Sequence, residues 1–266
     1  MVIKMKERLI SAIVALLIVV PLILLGGVFF QIGILIMSSL AYKEILDLKK
    51  SHKEYPTIMV MLGLFSLIII ILANNYDASI YHGITYQMLC LLIISLLVPI
   101  IFYKNDEYNS KDAFYLIGCI LFLSLVFNLF IIIRNRGLDN FVFLLLIPMF
   151  NDIFAFLIGS RFGKRKMCER ISPNKTWEGS GGGLVIGSIL ALVFYHIFIG
   201  NITFDIIYLT ILLSCVGQIG DLVMSKIKRE NNIKDFSNLM PGHGGILDRL
   251  DSVIFVFLTY VLLLAF

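Results

Sequence analysis

Four aspartates, Asp152, Asp221, Asp248 and Asp251, stand within or at the ends of otherwise apolar runs. An aspartate at the centre of a membrane span costs about 2.5–3.5 kcal/mol on insertion scales, so such a residue faces a polar cavity, a partner or an ion. Any one of them has an ordinary reading as a solvated helix-end residue. Four together ask for a shared cause. Gln218, Asp221 and Ser225 recur at i, i+3 and i+7, and Asp248, Asp251 and Ser252 at i, i+3 and i+4, so each set shares one helix face. Two helix ends then turn carboxylates toward the space between them. Like charges brought together repel unless a cation joins them. An all-oxygen donor set without His or Cys suits Mg²⁺, which takes one or two carboxylates and completes its shell with substrate phosphates.

Anion-binding groups surround these acids. Lys226, Lys228, Arg229, Lys234 and Arg249 flank them, and Pro241-Gly242-His243-Gly244-Gly245 comes just before Asp248. Glycine lets backbone N–H groups approach a phosphate closely, and the start of the following helix favours negative charge. The bases taken alone also serve to anchor a cytoplasmic loop. A second polar stretch, Ser172-Pro173-Asn174-Lys175-Thr176-Trp177-Glu178-Gly179, leads into Ser180-Gly181-Gly182-Gly183 and offers a lysine and hydroxyls to phosphates. Gly179, Gly183 and Gly187 repeat every fourth residue, which is the pattern of close helix packing. Trp177 reads as an interfacial anchor. His243 is open to three roles: base, phosphate donor or structural residue.

The elements that position these groups are membrane helices. Of 266 residues, 59% are hydrophobic and 15% charged, against about 45–50% and 25% in soluble domains. A soluble enzyme, a disordered chain and a nucleic-acid-binding domain are excluded. The expected fold is all-α: a polytopic integral membrane protein with about nine transmembrane helices. Apolar runs lie at roughly 9–26, 28–46, 57–74, 83–103, 113–133, 141–159, 181–200, 203–225 and 248–266. The first two meet at Gly26-Gly27, as a hairpin or as one broken helix. The basic N-terminus followed by an apolar run reads as a retained first helix, not a cleaved signal peptide. The four cysteines have no metal or disulfide spacing. Residues 1–140 read as a transmembrane scaffold without a site, and 141–266 as a catalytic region with polar loops at 160–180 and 226–247.

With the N-terminus inside and nine spans, every Lys and Arg except Arg134 and Arg136 falls on the cytoplasmic side. Positive charge retained on that side sets orientation, so the C-terminus is expected outside. Both polar loops then meet cytosolic metabolites such as nucleotides.

Ser225-Lys-Ile-Lys-Arg229, Lys234-Asp235, Pro241-Gly-His-Gly-Gly245 and Asp248-Arg-Leu-Asp251 together resemble the signature of the phosphatidate cytidylyltransferases, or CDP-diglyceride synthases. Met240 departs from it where the family has Leu, Ile or Phe, a volume-conserving change. Ser172 to Gly179 resembles a second family segment, with Asn174 where Lys is frequent. These matches lie within residues 151–252. The resemblance implies that CTP and phosphatidate give CDP-diacylglycerol and pyrophosphate, for phospholipid synthesis in the cell (inner) membrane. It further implies Mg²⁺, with room for a second cation, and a homodimer in the bilayer with no nucleic-acid partner. By motif position Asp221 and Asp248 are the metal ligands, with Asp152 and Asp251 as further candidates. Ser225, Lys228, Arg229, His243, Gly244, Gly245 and Arg249 surround the nucleotide phosphates, and Ser172, Lys175, Thr176, Lys234 and Asp235 complete the binding set.

A phosphate monoester has its second pKa near ~6 and is already largely ionised at neutral pH, so the expected chemistry needs no strong general base. Positioning and charge neutralisation suffice. Two rivals remain at this level. A CTP-dependent polyprenol kinase would transfer the γ-phosphoryl group and release CDP. A cation-coupled transporter would use its aspartates as ion carriers, but such proteins show paired repeats, and the two halves of this chain are unlike.

Overall fold

A computed structural model describes residues 2–50, 54–73, 86–240, 242 and 244–264. It is about 80% helical. Among the described residues the helices run, in order, α1 (Val2–Leu25), α2 (Gly27–Lys50), α3 (Thr57–Leu72), α4 (Tyr86–Leu97, continued by a 3-10 turn, Val98–Ile101), α5 (Ser110–Arg136), α6 (Leu138–Phe162), α7 (Trp177–Phe198), α8 (Phe204–Glu230) and α9 (Leu247–Leu264). Each falls on one of the apolar runs. Five, in α2, α5, α6, α7 and α8, are long and apolar enough to cross a membrane. The count of nine spans does not follow: α3 has 16 residues, the described apolar parts of α1 and α4 are also shorter, and α9 opens on Asp248, Arg249 and Asp251.

The chain forms two compact units. One holds α1–α5 together with residues 236–246; the other holds 137–235 and 247–266.

The first unit packs around α5, whose Leu116, Ile120, Leu123, Phe127 and Ile131 are fully buried. An apolar surface on all sides requires such a central place. Two polar side chains tie its helices together. Asn128 Nδ2 donates to the Ile71 carbonyl at 3.1 Å, tying α5 to α3. Arg134 donates from Nε to Ile23 O at 2.6 Å and from Nη2 to Leu24 O at 3.0 Å, satisfying carbonyls that the end of α1 leaves open. Gly26 and Gly27 have φ of 64° and 52°, and a Cβ at Gly33 of α2 would meet Leu22 of α1 at 2.8 Å. The first two helices therefore form a tight hairpin, which decides between the two readings of Gly26-Gly27.

In the second unit α6 packs most closely on α7, because glycines remove the side chains between them. A Cβ at Gly183 would meet the Asn151 carbonyl at 2.6 Å, and one at Gly187 the Asn151 backbone nitrogen at 2.8 Å. The four-residue glycine repeat is a packing stripe, as its spacing indicates. Helices α8 and α9 meet in the same way, Gly220 lying against the Phe255 ring.

One expectation of the fold is corrected. The segment after α6 is not an irregular loop in an all-α protein. Two short strands, β1 (Lys166–Cys168) and β2 (Ser172–Thr176), pair antiparallel, with Lys166 opposite Thr176 and Cys168 opposite Ser172. The hairpin ends in Thr176, whose hydroxyl accepts from Gly179 N at 3.1 Å and caps α7. Such a cap is worth about 1 kcal/mol, and it starts α7 four residues earlier than the hydropathy alone indicates. Helix α8 likewise runs on to Glu230, so Lys226, Lys228 and Arg229 lie on its last turns rather than in a loop. Cations are favoured there by the carbonyl ends of the helix.

Candidate active site

All parts of one polar cleft come from the second unit. Asp152 and Phe156 of α6, Met167 of β1, Asn174 and Lys175 of β2, Thr176 and Ser180 at the start of α7, and Gln218 and Asp221 of α8 line a cavity of about 220 Å³. The hairpin brings Lys175 across to α8, where its ammonium pairs with the Asp221 carboxylate. Ser225, one turn further along α8, donates its hydroxyl to Asp221 Oδ1 at 3.2 Å. Gln218 and Asp221 of the shared face thus line the cleft, and Ser225 bonds Asp221 from the next turn.

Beneath the cleft runs an amide network. Gln218 Nε2 donates to Asn151 Oδ1 at 2.7 Å and to the Ser180 carbonyl at 3.0 Å, while its Oε1 accepts from the Ser180 hydroxyl. Asn151, itself buried, donates to Ser214 O at 3.1 Å. Every hydrogen-bonding atom of the Gln218 amide has a partner, so its orientation is set. Asn151 and Ser180 are absent from the sequence-predicted site. Their only signal was a polar residue on an apolar helix face, the same signal that singles out Asp152.

The second face is completed by α9. The Ser252 side chain lies beside the Asp152 carboxylate, and the Asp251 carboxylate accepts from Ser252 N at 2.8 Å. Asp152 lies within the electrostatic reach of Asp221 and Lys175, and Asp251 within that of Asp221, Lys228 and Asp152. Neither has an ion-pair partner of its own among the described residues. Asp248 differs: its Oδ1 lies 2.8 Å from Lys228 Nζ, with the two side chains 3% and 9% exposed. That pair is almost dry. Removing one member of such a pair typically costs about 3–5 kcal/mol, because the other charge is left buried.

The local balance is three carboxylates, Asp152, Asp221 and Asp251, against Lys175, beside a neutral Lys228–Asp248 pair. This excess of hard oxygen donors fits a divalent cation. Among the described residues no three His, Cys, Asp or Glu side chains converge as a ready-made cage, and Mg²⁺ needs none where substrate phosphates and waters fill its shell.

The remaining predicted residues are placed as follows. Arg229 donates from Nε to Ile171 O at 3.2 Å and from Nη1 to Ile233 O at 2.9 Å, holding the hairpin turn to the end of α8. Lys226 pairs with Glu230 at 3.3 Å on the surface. Lys234, Asp235 and Arg249 are exposed, and Ser172 sits in β2 outside the cleft lining. In the first unit, Gly244 exchanges backbone hydrogen bonds with Met240, its N–H donating to Met240 O at 3.1 Å. That N–H is therefore occupied by the turn. Gly245 lies against the Glu44 carboxylate. His243 and Pro241 lie outside the described residues.

With this geometry established, the comparisons are decisive. The sequence model of the Cytidylyltransferase family matches residues 6–266. The chain belongs to that family. It is 34% identical over 270 residues to the phosphatidate cytidylyltransferase of Bacillus subtilis, covering 98% of this chain and 99% of that protein. The enzymes of the same name from Staphylococcus saprophyticus and Staphylococcus aureus are 34% and 33% identical over 254 residues, 95% of this chain and 96% of each. The match to the family includes the first 140 residues, where the resemblance had rested on hydropathy alone.

Proposed function

We propose that this protein transfers the cytidylyl group of CTP to phosphatidate, giving CDP-diacylglycerol and pyrophosphate. The observation that carries the reading is the acidic cleft between α6, the β-hairpin and α8, in a chain similar over nearly its whole length to phosphatidate cytidylyltransferases.

A phosphate oxygen of phosphatidate attacks the α-phosphorus of CTP. The new P–O bond forms as the bond to the β-phosphate oxygen breaks, and pyrophosphate departs. The attacking phosphate is largely ionised at neutral pH, so no side chain has to remove a proton. What the chain contributes is position and charge. Lys175 exchanges Asp221 for a phosphate oxygen, and Lys228 does the same from Asp248. Both lysines are charged groups already held by flexible stems at the site. The Gln218–Asn151–Ser180 network keeps the facing walls of α6, α7 and α8 in register while those exchanges occur. Electrostatic preorganisation of this kind accounts for most of the rate in phosphoryl-type transfers.

Mg²⁺, when bound, neutralises triphosphate charge and aligns the phosphates; Asp221 with Asp152 or Asp251 would hold it, and Asp248 would join once Lys228 has turned to substrate. A second cation has donors left among the same carboxylates. The reading places the cleft on the cytoplasmic side of the cell membrane, N-terminus inside and C-terminus outside, with the enzyme a homodimer. CTP arrives from the cytosol and the lipid from the bilayer.

The test is direct. Purified protein in detergent is given phosphatidate, Mg²⁺ and CTP labelled in cytidine. Cytidine label in the lipid phase with release of pyrophosphate is expected. Transfer of γ-phosphate with release of CDP would replace the reading with a lipid kinase.

A further inference from the structure

The first unit carries one buried carboxylate that its packing does not require. Glu44 lies in α2 among apolar residues and is 3% exposed. A buried acid costs free energy unless its oxygens are bonded, and here two donors come from one distant segment. Glu44 Oε1 accepts from the Ser237 hydroxyl at 2.7 Å and from Ile246 N at 2.8 Å.

Those two donors bracket the glycine-rich loop. Between them Met240 and Gly244 exchange backbone hydrogen bonds at 3.0 and 3.1 Å, and Gly242 and Gly244 hold φ of 75° and 80°, which only glycine adopts readily. Ser237 Oγ also accepts from Leu239 N at 3.3 Å. At Gly245 a Cβ would fall on the Glu44 carboxylate, so the glycine is what allows the backbone to come so near. Phe236 and Ile246, at the two ends, are buried. One oxygen atom of Glu44 thus clasps both ends of the 237–246 segment and closes it into a ring.

We propose that Glu44 is a positioning residue for the reaction: it sets the conformation of the glycine-rich loop, and the turnover rate depends on that clasp. The inference rests on the cytidylyltransferase reading for the loop's part in turnover, while the clasp itself is independent of it. Because both bonds end on Oε1, a glutamine can keep them through its carbonyl, whereas alanine loses both.

The experiment compares wild type, Glu44→Ala, Glu44→Gln and Ser237→Ala by steady-state kinetics in detergent and by hydrogen exchange at the amides of 237–246. Glu44→Ala is expected to lower kcat about 30-fold with a smaller change in KM for CTP, and to speed exchange at Ile246 while the α5 amides stay protected. Glu44→Gln should recover kcat to within about threefold of wild type, and Ser237→Ala should lose about fivefold. An unchanged kcat in Glu44→Ala with faster loop exchange overturns the proposal. So does a Glu44→Gln variant as slow as the alanine one. If Glu44→Ala does not fold, Ser237→Ala decides, and wild-type kcat in it overturns the proposal. Inactive wild type with CTP and phosphatidate would refute the cytidylyltransferase reading, and the positioning role that rests on it, while exchange at Ile246 still reports the clasp.

Discussion

The two units handle buried polar groups in opposite ways. In the first, the buried amide of Asn128 and the buried carboxylates of Asp112 and Glu44 are matched by partners. Asn128 bonds a carbonyl of α3, Asp112 accepts from Asn109 N at 3.1 Å at the start of α5, and Glu44 accepts two bonds from one loop. In the second, the carboxylates outnumber the lysines: Asp221 and Asp248 have ion-pair partners, while Asp152 and Asp251 have none among the described residues and lie beside Ser252. Matched polar groups specify a fold. An unmatched excess of negative charge at the wall of a cleft is a demand for positive charge.

That contrast can be broken by substitution. The largest effect is expected at Asp248. Asp248→Asn leaves Lys228 buried without its counter-charge and should cost about 3–5 kcal/mol of stability, read as a lower Tm in detergent, together with loss of cytidylyl transfer. Pairing it with Lys228→Met should restore Tm but not activity; recovery of both would mean that the pair is only structural. Asp221→Asn is expected to behave differently, lowering kcat about 10³-fold with Tm close to wild type, since Asp221 is partly open to the cleft. Full turnover in that variant would remove Asp221 from the chemistry.

Smaller effects separate packing from function. Gly183→Val places a side chain against the Asn151 carbonyl and should destabilise by about 1–3 kcal/mol. It should also disturb activity, because Asn151 belongs to the amide network. In the first unit Gly118 of α5 has no atom within 4 Å of where a Cβ would stand. Gly118→Ala should therefore raise stability, by up to about 1 kcal/mol, with kcat unchanged. Equal sensitivity at Gly118 and Gly183 would dissolve the distinction between the two surfaces.

Reading the chain as a string recovered a particular class of feature. The face of Gln218, Asp221 and Ser225 and the stripe of Gly179, Gly183 and Gly187 both come from helical period, a local property. The region up to residue 140 looked featureless because Glu44 is one acid among ordinary interface charges, and nothing nearby in sequence marks it. Lys175 and Asp221 were each visible as site candidates, but their pairing was not. The glycines before Asp248 read as a phosphate cradle; that their backbone also closes a turn and makes room for Glu44 was not legible in the chain.

The membrane-embedded helical character, the helix positions and the acidic and basic inventory of the site are legible along the chain, because hydropathy, helical period and residue type are local. Which acid meets which base is settled by packing. Lys175 and Asp221 are 46 residues apart, Asn151 and Gln218 67, and Glu44 and Ser237 193. Pairings at such separations depend on how helices and loops pack against one another, and no periodicity in the chain encodes them.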